Sequence, residues 1–110
     1  MEKETLTVHT DEHGTITYRN DSGELHNPDG PAIVYSDGEK WYCINGQLHN
    51  TNGPAIIWAD CGLAHYIHGD LHNPDGPAVI GKNGYKAYYI KGKKLTEAEF
   101  AAWQTQQAEK

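Results

Sequence analysis

A translational repeat constrains this chain more than any other feature. Gly23, Gly46, Gly69 and Gly92 stand 23 residues apart. The same step relates Leu25, Leu48 and Leu71, then His26, His49 and His72, then Asn27, Asn50 and Asn73. It also relates Gly30, Gly53 and Gly76, the prolines Pro31, Pro54 and Pro77, and the alanines Ala32, Ala55 and Ala78. Leu-His-Asn-Pro-Asp-Gly-Pro-Ala occurs intact at 25–32 and at 71–78, while the middle copy reads Leu48-His49-Asn50-Thr51-Asn52-Gly53-Pro54-Ala55. A fixed period of this length marks stacked supersecondary units, each too small to bury its own apolar face.

Each unit reads as a hairpin followed by a return loop. Ala32-Ile33-Val34-Tyr35 is short and β-branched, as strands prefer. Asp37-Gly38 supplies a tight turn, matched later by Asp60-Cys61-Gly62 and Asn83-Gly84. A second strand runs over Lys40-Trp41-Tyr42-Cys43-Ile44, Asn45-Gly46 ends it, and residues 47–54 form the loop to the next unit. The Gly-Pro pairs and the additional Pro28 and Pro74 suit neither a helix nor a central strand.

These readings predict a mainly β fold, an elongated antiparallel meander of stacked 23-residue hairpin repeats with a C-terminal capping α-helix. The chain is a single domain over 1–110: an N-terminal hairpin cap at 1–22, three hairpin repeats at 23–92 and a capping helix at 95–108. In the cap, Leu6-Thr7-Val8 and Thr15-Ile16-Thr17-Tyr18 flank the turn Asp11-Glu12-His13-Gly14. At the other end Thr96 and Glu99 form a capping box, Leu95 and Phe100 a hydrophobic staple, and Phe100 and Trp103 share one helical face. In the sheet, Ile33, Ile56 and Val79 fall on one face with Tyr35 and Trp58, and Val34, Ile57 and Ile80 on the other.

Composition narrows the function. With 15 acidic and 9 basic side chains the formal charge is -6, and the sequence pI is about 5.5. That balance argues against capture of a nucleic-acid backbone, which depends on clustered Lys and Arg. No apolar run is long enough to cross a bilayer, and Met1-Glu2-Lys3-Glu4-Thr5 lacks the regions of a secretory signal, so a cytoplasmic location is expected. Cys43 and Cys61 are too few for a disulfide scaffold and share no Cys-x-x-Cys motif.

The Gly-x-Leu-His and Asp-Gly columns resemble MORN (membrane occupation and recognition nexus) repeats, also hairpins of about this length with a Tyr/Trp strand, an Asn-Gly turn and a following histidine. Tyr42-Cys43-Ile44-Asn45-Gly46-Gln47-Leu48-His49 carries the likeness, which spans residues 16–92. The usual His-Gly-x-Gly becomes His-Asn-x-x-Gly-Pro-Ala here, a longer and stiffer loop. This variant is similar to tandem repeats of small phage and bacterial proteins. The resemblance implies a β-repeat interaction scaffold. Without a basic stripe it does not carry over membrane attachment.

Seven histidines stand out. His26, His49 and His72 fall in one column, and imidazole is both a near-neutral titrating group and a common metal ligand. Their repetition favours bracing of the loop, each imidazole bonding a carbonyl of its own turn, because a catalytic group is needed once. His65 and His68 are three apart in a strand, on opposite faces, which argues against a shared metal. No nucleophile–base order or phosphate-cradling loop stands out, so no enzyme, cofactor or metal is expected.

Positions where the copies disagree say more about recognition. Tyr35, Trp41, Tyr42, Trp58, Tyr66, Tyr88 and Tyr89 form a ladder of large rings suited either to a protein–protein hot spot or to filling a thin core. The leading expectation is a non-enzymatic protein-binding repeat module. On the phage resemblance, it is an inhibitor that occludes a host defence protein in the host cytoplasm. The alternatives are a protein that sequesters a small nucleotide signal and a His-dependent metal hydrolase. The open N-terminal sheet edge is expected to be guarded by charged loops or closed by a homodimer.

Overall fold

The computed structural model describes residues 5–109, so the first four residues of the expected cap and Lys110 lie outside it. Thirteen strands follow in chain order: β1 Thr7–Thr10, β2 Ile16–Arg19, β3 Ile33–Val34, β4 Lys40–Trp41, β5 Cys43–Ile44, β6 Gln47–Leu48, β7 Ile56–Ile57, β8 Leu63–Ala64, β9 Tyr66–Ile67, β10 Asp70–Leu71, β11 Val79–Ile80, β12 Lys86–Ile90 and β13 Lys93–Leu95. Helix α1, Glu97–Ala108, closes the chain. Nine strands form one sheet in the order β1-β2-β3-β4-β7-β8-β11-β12-β13, and each pairs antiparallel with its neighbours. The expected meander is present, and its principal extents of 46 × 38 × 17 Å describe a flat slab. Its radius of gyration is 15.9 Å, against about 13 Å for a compact domain of this length.

One local expectation is corrected. Residues 47–54 are not all loop, because β6 pairs back onto β5, Cys43 opposite Leu48 and Ile44 opposite Gln47. Asn45-Gly46 is therefore the turn of a second hairpin. The same arrangement recurs where Tyr66 faces Leu71 and Ile67 faces Asp70. The strand expected over 40–44 breaks at Tyr42, because its first half pairs within the large sheet and its second half within the small hairpin. Each unit thus contributes two hairpins and a short loop.

The turns explain the glycine column. Asn45 and Gly46 have φ of 48° and 82°, His68 and Gly69 of 49° and 86°, and Lys91 and Gly92 of 51° and 83°. Two consecutive positive φ values are what a two-residue type I′ turn requires, because its twist matches that of the flanking strands. Each of these glycines also binds the preceding unit, Gly46 N–H donating to the Leu25 carbonyl, Gly69 to Leu48 and Gly92 to Leu71, all at 2.8 Å.

The core is thin and built from small residues. Ala32, Ala55 and Ala78 are fully buried, with Ala64, Ala87, Ile33, Ile56, Cys43 and Phe100 also inside. Each repeat alanine is held on both sides: the Ala55 N–H donates to Ala64 and its carbonyl accepts from Tyr42 of the unit before. With no exposed surface left at these positions, a larger side chain would have to displace packed neighbours. Strand register places Ile33, Trp41, Ile56, Ala64, Val79 and Ala87 on one face and Val34, Lys40, Ile57, Leu63, Ile80 and Lys86 on the other. The second face is half-buried at its aliphatic positions and exposed at its lysines.

The C-terminal cap forms as the sequence predicts. Thr96 Oγ1 accepts from the Glu99 N–H at 3.1 Å, and Glu99 Oε1 accepts from the Thr96 N–H at 2.8 Å. Phe100 is buried against the last repeat, its ring 4.8 Å from that of Tyr88.

Candidate functional site

The loop between units is rigid by construction. Asn27, Asn50 and Asn73 each bridge it: the side-chain amide donates to the carbonyl of Pro31, Pro54 or Pro77 at 2.9–3.0 Å. Their Oδ1 atoms accept the N–H of Asp29, Asn52 and Asp75 at 3.0–3.1 Å. These Asx turns fix the loop without strand pairing.

The histidine column braces, but not in the way expected. Nδ1 of His26, His49 and His72 accepts the backbone N–H of Asn45, His68 and Lys91 respectively, each at 2.9 Å and nineteen residues further on. The bond joins one unit to the turn of the next, rather than closing the residue's own loop on a carbonyl. It requires a neutral imidazole with Nδ1 unprotonated. His68 adds a ring stacked at 4.4 Å on His49. Burial, and then the neighbouring His68, hold the His49 pKa below the ordinary histidine value.

The seven rings of the expected ladder fall into separate groups. Tyr35 meets Trp41 edge-on at 6.1 Å, and the Trp41 indole donates to Glu39 Oε2 at 2.6 Å. Trp58 lies over the Gly62 backbone. Tyr66 and Tyr89 share the column of buried Cys43, and burial first, then Tyr89, raise the Tyr66 phenol. Burial alone pushes the Cys43 thiol up to about 11, which leaves it an inert core residue. Tyr42 and Tyr88 belong to a further column, and there the units differ in a useful way.

Between successive loops the slab carries two equivalent open clefts. One, of about 480 Å³, lies between loops 27–30 and 49–52 over Tyr42 and Ile44. The other, of about 490 Å³, lies between loops 50–53 and 72–75 over His65 and Ile67. The frames are alike and the floors differ, tyrosine in one and histidine in the other. Burial lowers the His65 pKa, with the Gly53 backbone opposing it. In the third position the half-buried Tyr88 ring stacks on Phe100 beside a smaller cleft of about 300 Å³, and Gln104 Nε2 donates to the Pro74 carbonyl at 3.1 Å.

Sequence reasoning ranked Tyr42 with the other rings and left His65 out of the site, although both occupy one column that differs between units. It also missed Tyr18. The Tyr18 N–H donates to Ala32, as Tyr42 does to Ala55 and His65 to Ala78, which makes Tyr18 the first member of that column. Its turn, Asn20-Asp21-Ser22-Gly23-Glu24, is one residue longer than the later ones, so the 23-residue step passes over it. Among the described residues no group of three His, Cys, Asp or Glu side chains is placed to hold a metal, and no helix is long and apolar enough to cross a membrane. No protein-family model, curated protein or solved structure matches this chain.

Proposed function

We propose that this chain is a non-enzymatic protein-binding repeat module. The observation that carries the reading is the pair of open clefts one unit apart, alike in backbone frame and different in the side chains at the floor (Tyr42 against His65) and on the walls (Pro28-Asp29 against Thr51-Asn52). A structural column needs no variety, whereas a recognition strip uses rigid loops to present unlike side chains at fixed spacing. The three column histidines use Nδ1 as inter-unit acceptors, which favours bracing over catalysis. The resemblance to small phage proteins extends the proposal to an inhibitor acting in the host cytoplasm, which works by covering a surface of a defence protein. Affinity purification with the tagged full chain from host lysate tests the module. A stoichiometric protein partner is expected, and recovery of none overturns the reading.

Cleft volumes of about 480 and 490 Å³ also fall in the small-ligand range, which gives a second reading, the sequestering of a nucleotide signal. Thermal shift against nucleotides separates the two, since a ligand at a hundredfold excess over its Kd stabilises by about 2.7 kcal/mol. For assembly, we propose two-fold pairing through β1, the terminal strand, whose four residues are all exposed and carry no Lys. Size exclusion with light scattering reads a dimer if this holds and a monomer if it does not.

A further inference from the structure

The three inter-unit loops are not equally tied. Pro28-Asp29-Gly30 and Pro74-Asp75-Gly76 become Thr51-Asn52-Gly53 in the middle unit. Proline presets φ for the second position of a turn. Residues 28–29 and 74–75 close as turns, whereas residues 51–53 only bend. Asn50 holds the shoulders of that bend, donating to the Pro54 carbonyl and accepting the Asn52 N–H. Between those anchors the Gly53 N–H has no hydrogen-bond acceptor among the described residues, and the Asn52 side chain is exposed. Asn-Gly occurs twice more, and both pairs are restrained. Gly46 N–H donates to the Leu25 carbonyl at 2.8 Å, and Asn45 is held at its N–H by His26 and at its Oδ1 by Asn20. Asn83 lies in a 3-10 turn at φ 64° and ψ 27°, which turns the Gly84 nitrogen to the far side of the bond from the Asn83 Cβ.

We infer that Asn52 is a modification site, where spontaneous deamidation converts the middle loop to the acidic residue its sister loops already carry. The Gly53 nitrogen gives its proton to solvent base and attacks the Asn52 side-chain carbonyl carbon. A new C–N bond closes a five-membered succinimide, the old one breaks, and the amide nitrogen takes up a proton and leaves as ammonia. Water then opens the ring at either carbonyl, giving aspartate or isoaspartate, with nothing oxidised or reduced. Glycine permits the attack because no Cβ shields its nitrogen. The aspartate form fits the frame: Asp29 and Asp75 donate their N–H groups to Asn27 and Asn73 at 3.1 and 3.0 Å, as Asn52 does to Asn50 at 3.0 Å. The isoaspartate form routes the backbone through Cβ, lengthening the segment that Asn50 spans. Asn52 borders both open clefts, so one event places a further carboxylate beside each of them on a chain of net charge -6.

Peptide mapping by mass spectrometry tests the site, on the folded full chain aged in mildly alkaline buffer made with heavy-oxygen water. Conversion is expected at Asn52, with one solvent oxygen taken up. It is expected to run about tenfold faster than at Asn45, whose neighbouring nitrogen must first break its bond to Leu25. In concentrated urea the three Asn-Gly pairs are expected to react at similar rates. Thr51→Pro, which restores the proline of the sister loops, slows conversion at Asn52 and leaves Asn45 and Asn83 unchanged. Asn52→Asp is expected to melt at the temperature of the unaltered chain. Conversion at Asn45 or Asn83 ahead of Asn52 in the folded chain overturns the inference. So does a folded chain that converts nowhere while the urea sample converts, or an Asn52 rate that Thr51→Pro leaves untouched. A lowered Tm for Asn52→Asp refutes the fit of the product to the frame.

Discussion

Replacing His26 with alanine tests the inter-unit brace most directly. His26 is 5% exposed, and its Nδ1 accepts the N–H of Asn45, a turn residue at φ 48°, in a part-buried hydrogen bond. Losing the bond removes about 1 kcal/mol, and leaving the Asn45 donor partly shielded from water adds about 1–2 kcal/mol more. The corresponding bonds of His49 and His72 are exposed, so water replaces the imidazole and each substitution costs about 1 kcal/mol. A chain of this length melts with an entropy near 0.23 kcal/mol/K, so each kcal/mol moves Tm by about 4 °C. His26→Ala therefore lowers Tm by roughly 10 °C, and His49→Ala and His72→Ala by roughly 4 °C each. Urea unfolding with a shared m-value, followed by tyrosine and tryptophan fluorescence, measures all three. Equal losses at the three sites refute the reasoning, and so does a ¹⁵N spectrum placing the His26 proton on Nδ1.

Cys61 holds the turn position that Gly38 holds one unit earlier, at φ 75°. Cys61→Gly is expected to stabilise by about 1 kcal/mol by relieving the left-handed strain, read as a higher urea midpoint. At the adjacent Gly62 an added Cβ would lie 3.0 Å from the Trp58 ring and 3.1 Å from the Ile80 carbonyl. Gly62→Ala costs about 1–3 kcal/mol, whereas Gly76→Ala, which meets only Asn73 Nδ2 at 3.9 Å, is tolerated; thermal melts compare them. Acid acts through the histidines. The folded-state pKa values of His49 and His65 are depressed, so their contribution is complete above the ordinary value near 6.5. It drains away as pH falls through the lower folded values. Urea midpoints at pH 7.5 and pH 5 should differ accordingly, and a flat profile across that window contradicts the assignment.

The large-scale fold was legible because its determinants are local and recur. Gly-Pro, Asn-Gly and the Thr96–Glu99 box each act within a few residues, and their 23-residue step places the units. What sequence could not resolve depended on partners one unit away. A column of histidines says that a bond recurs, but not whether it closes its own loop or reaches the next, and here the acceptor and donor are nineteen residues apart. The second hairpin escaped notice because its strands are only two residues long, too short for any alternation to register. The aromatic residues looked continuous because periodicity orders columns along the chain without saying which way each column faces. Tyr35 and Trp41 meet each other, while Tyr42, one residue on from Trp41, looks into a cleft.

The nineteen-residue bond from each imidazole to the turn beyond it also says how such a protein can grow. Every joint between units is made from the same donors and acceptors, and the terminal helix docks on whichever hairpin comes last. An in-frame duplication of one whole unit would meet compatible neighbours above and below, lengthening the molecule like an extra bead on a ruler and adding one more grip. Lineages carrying genes of this kind could thus tune their reach by copy number, leaving the fold of each bead untouched.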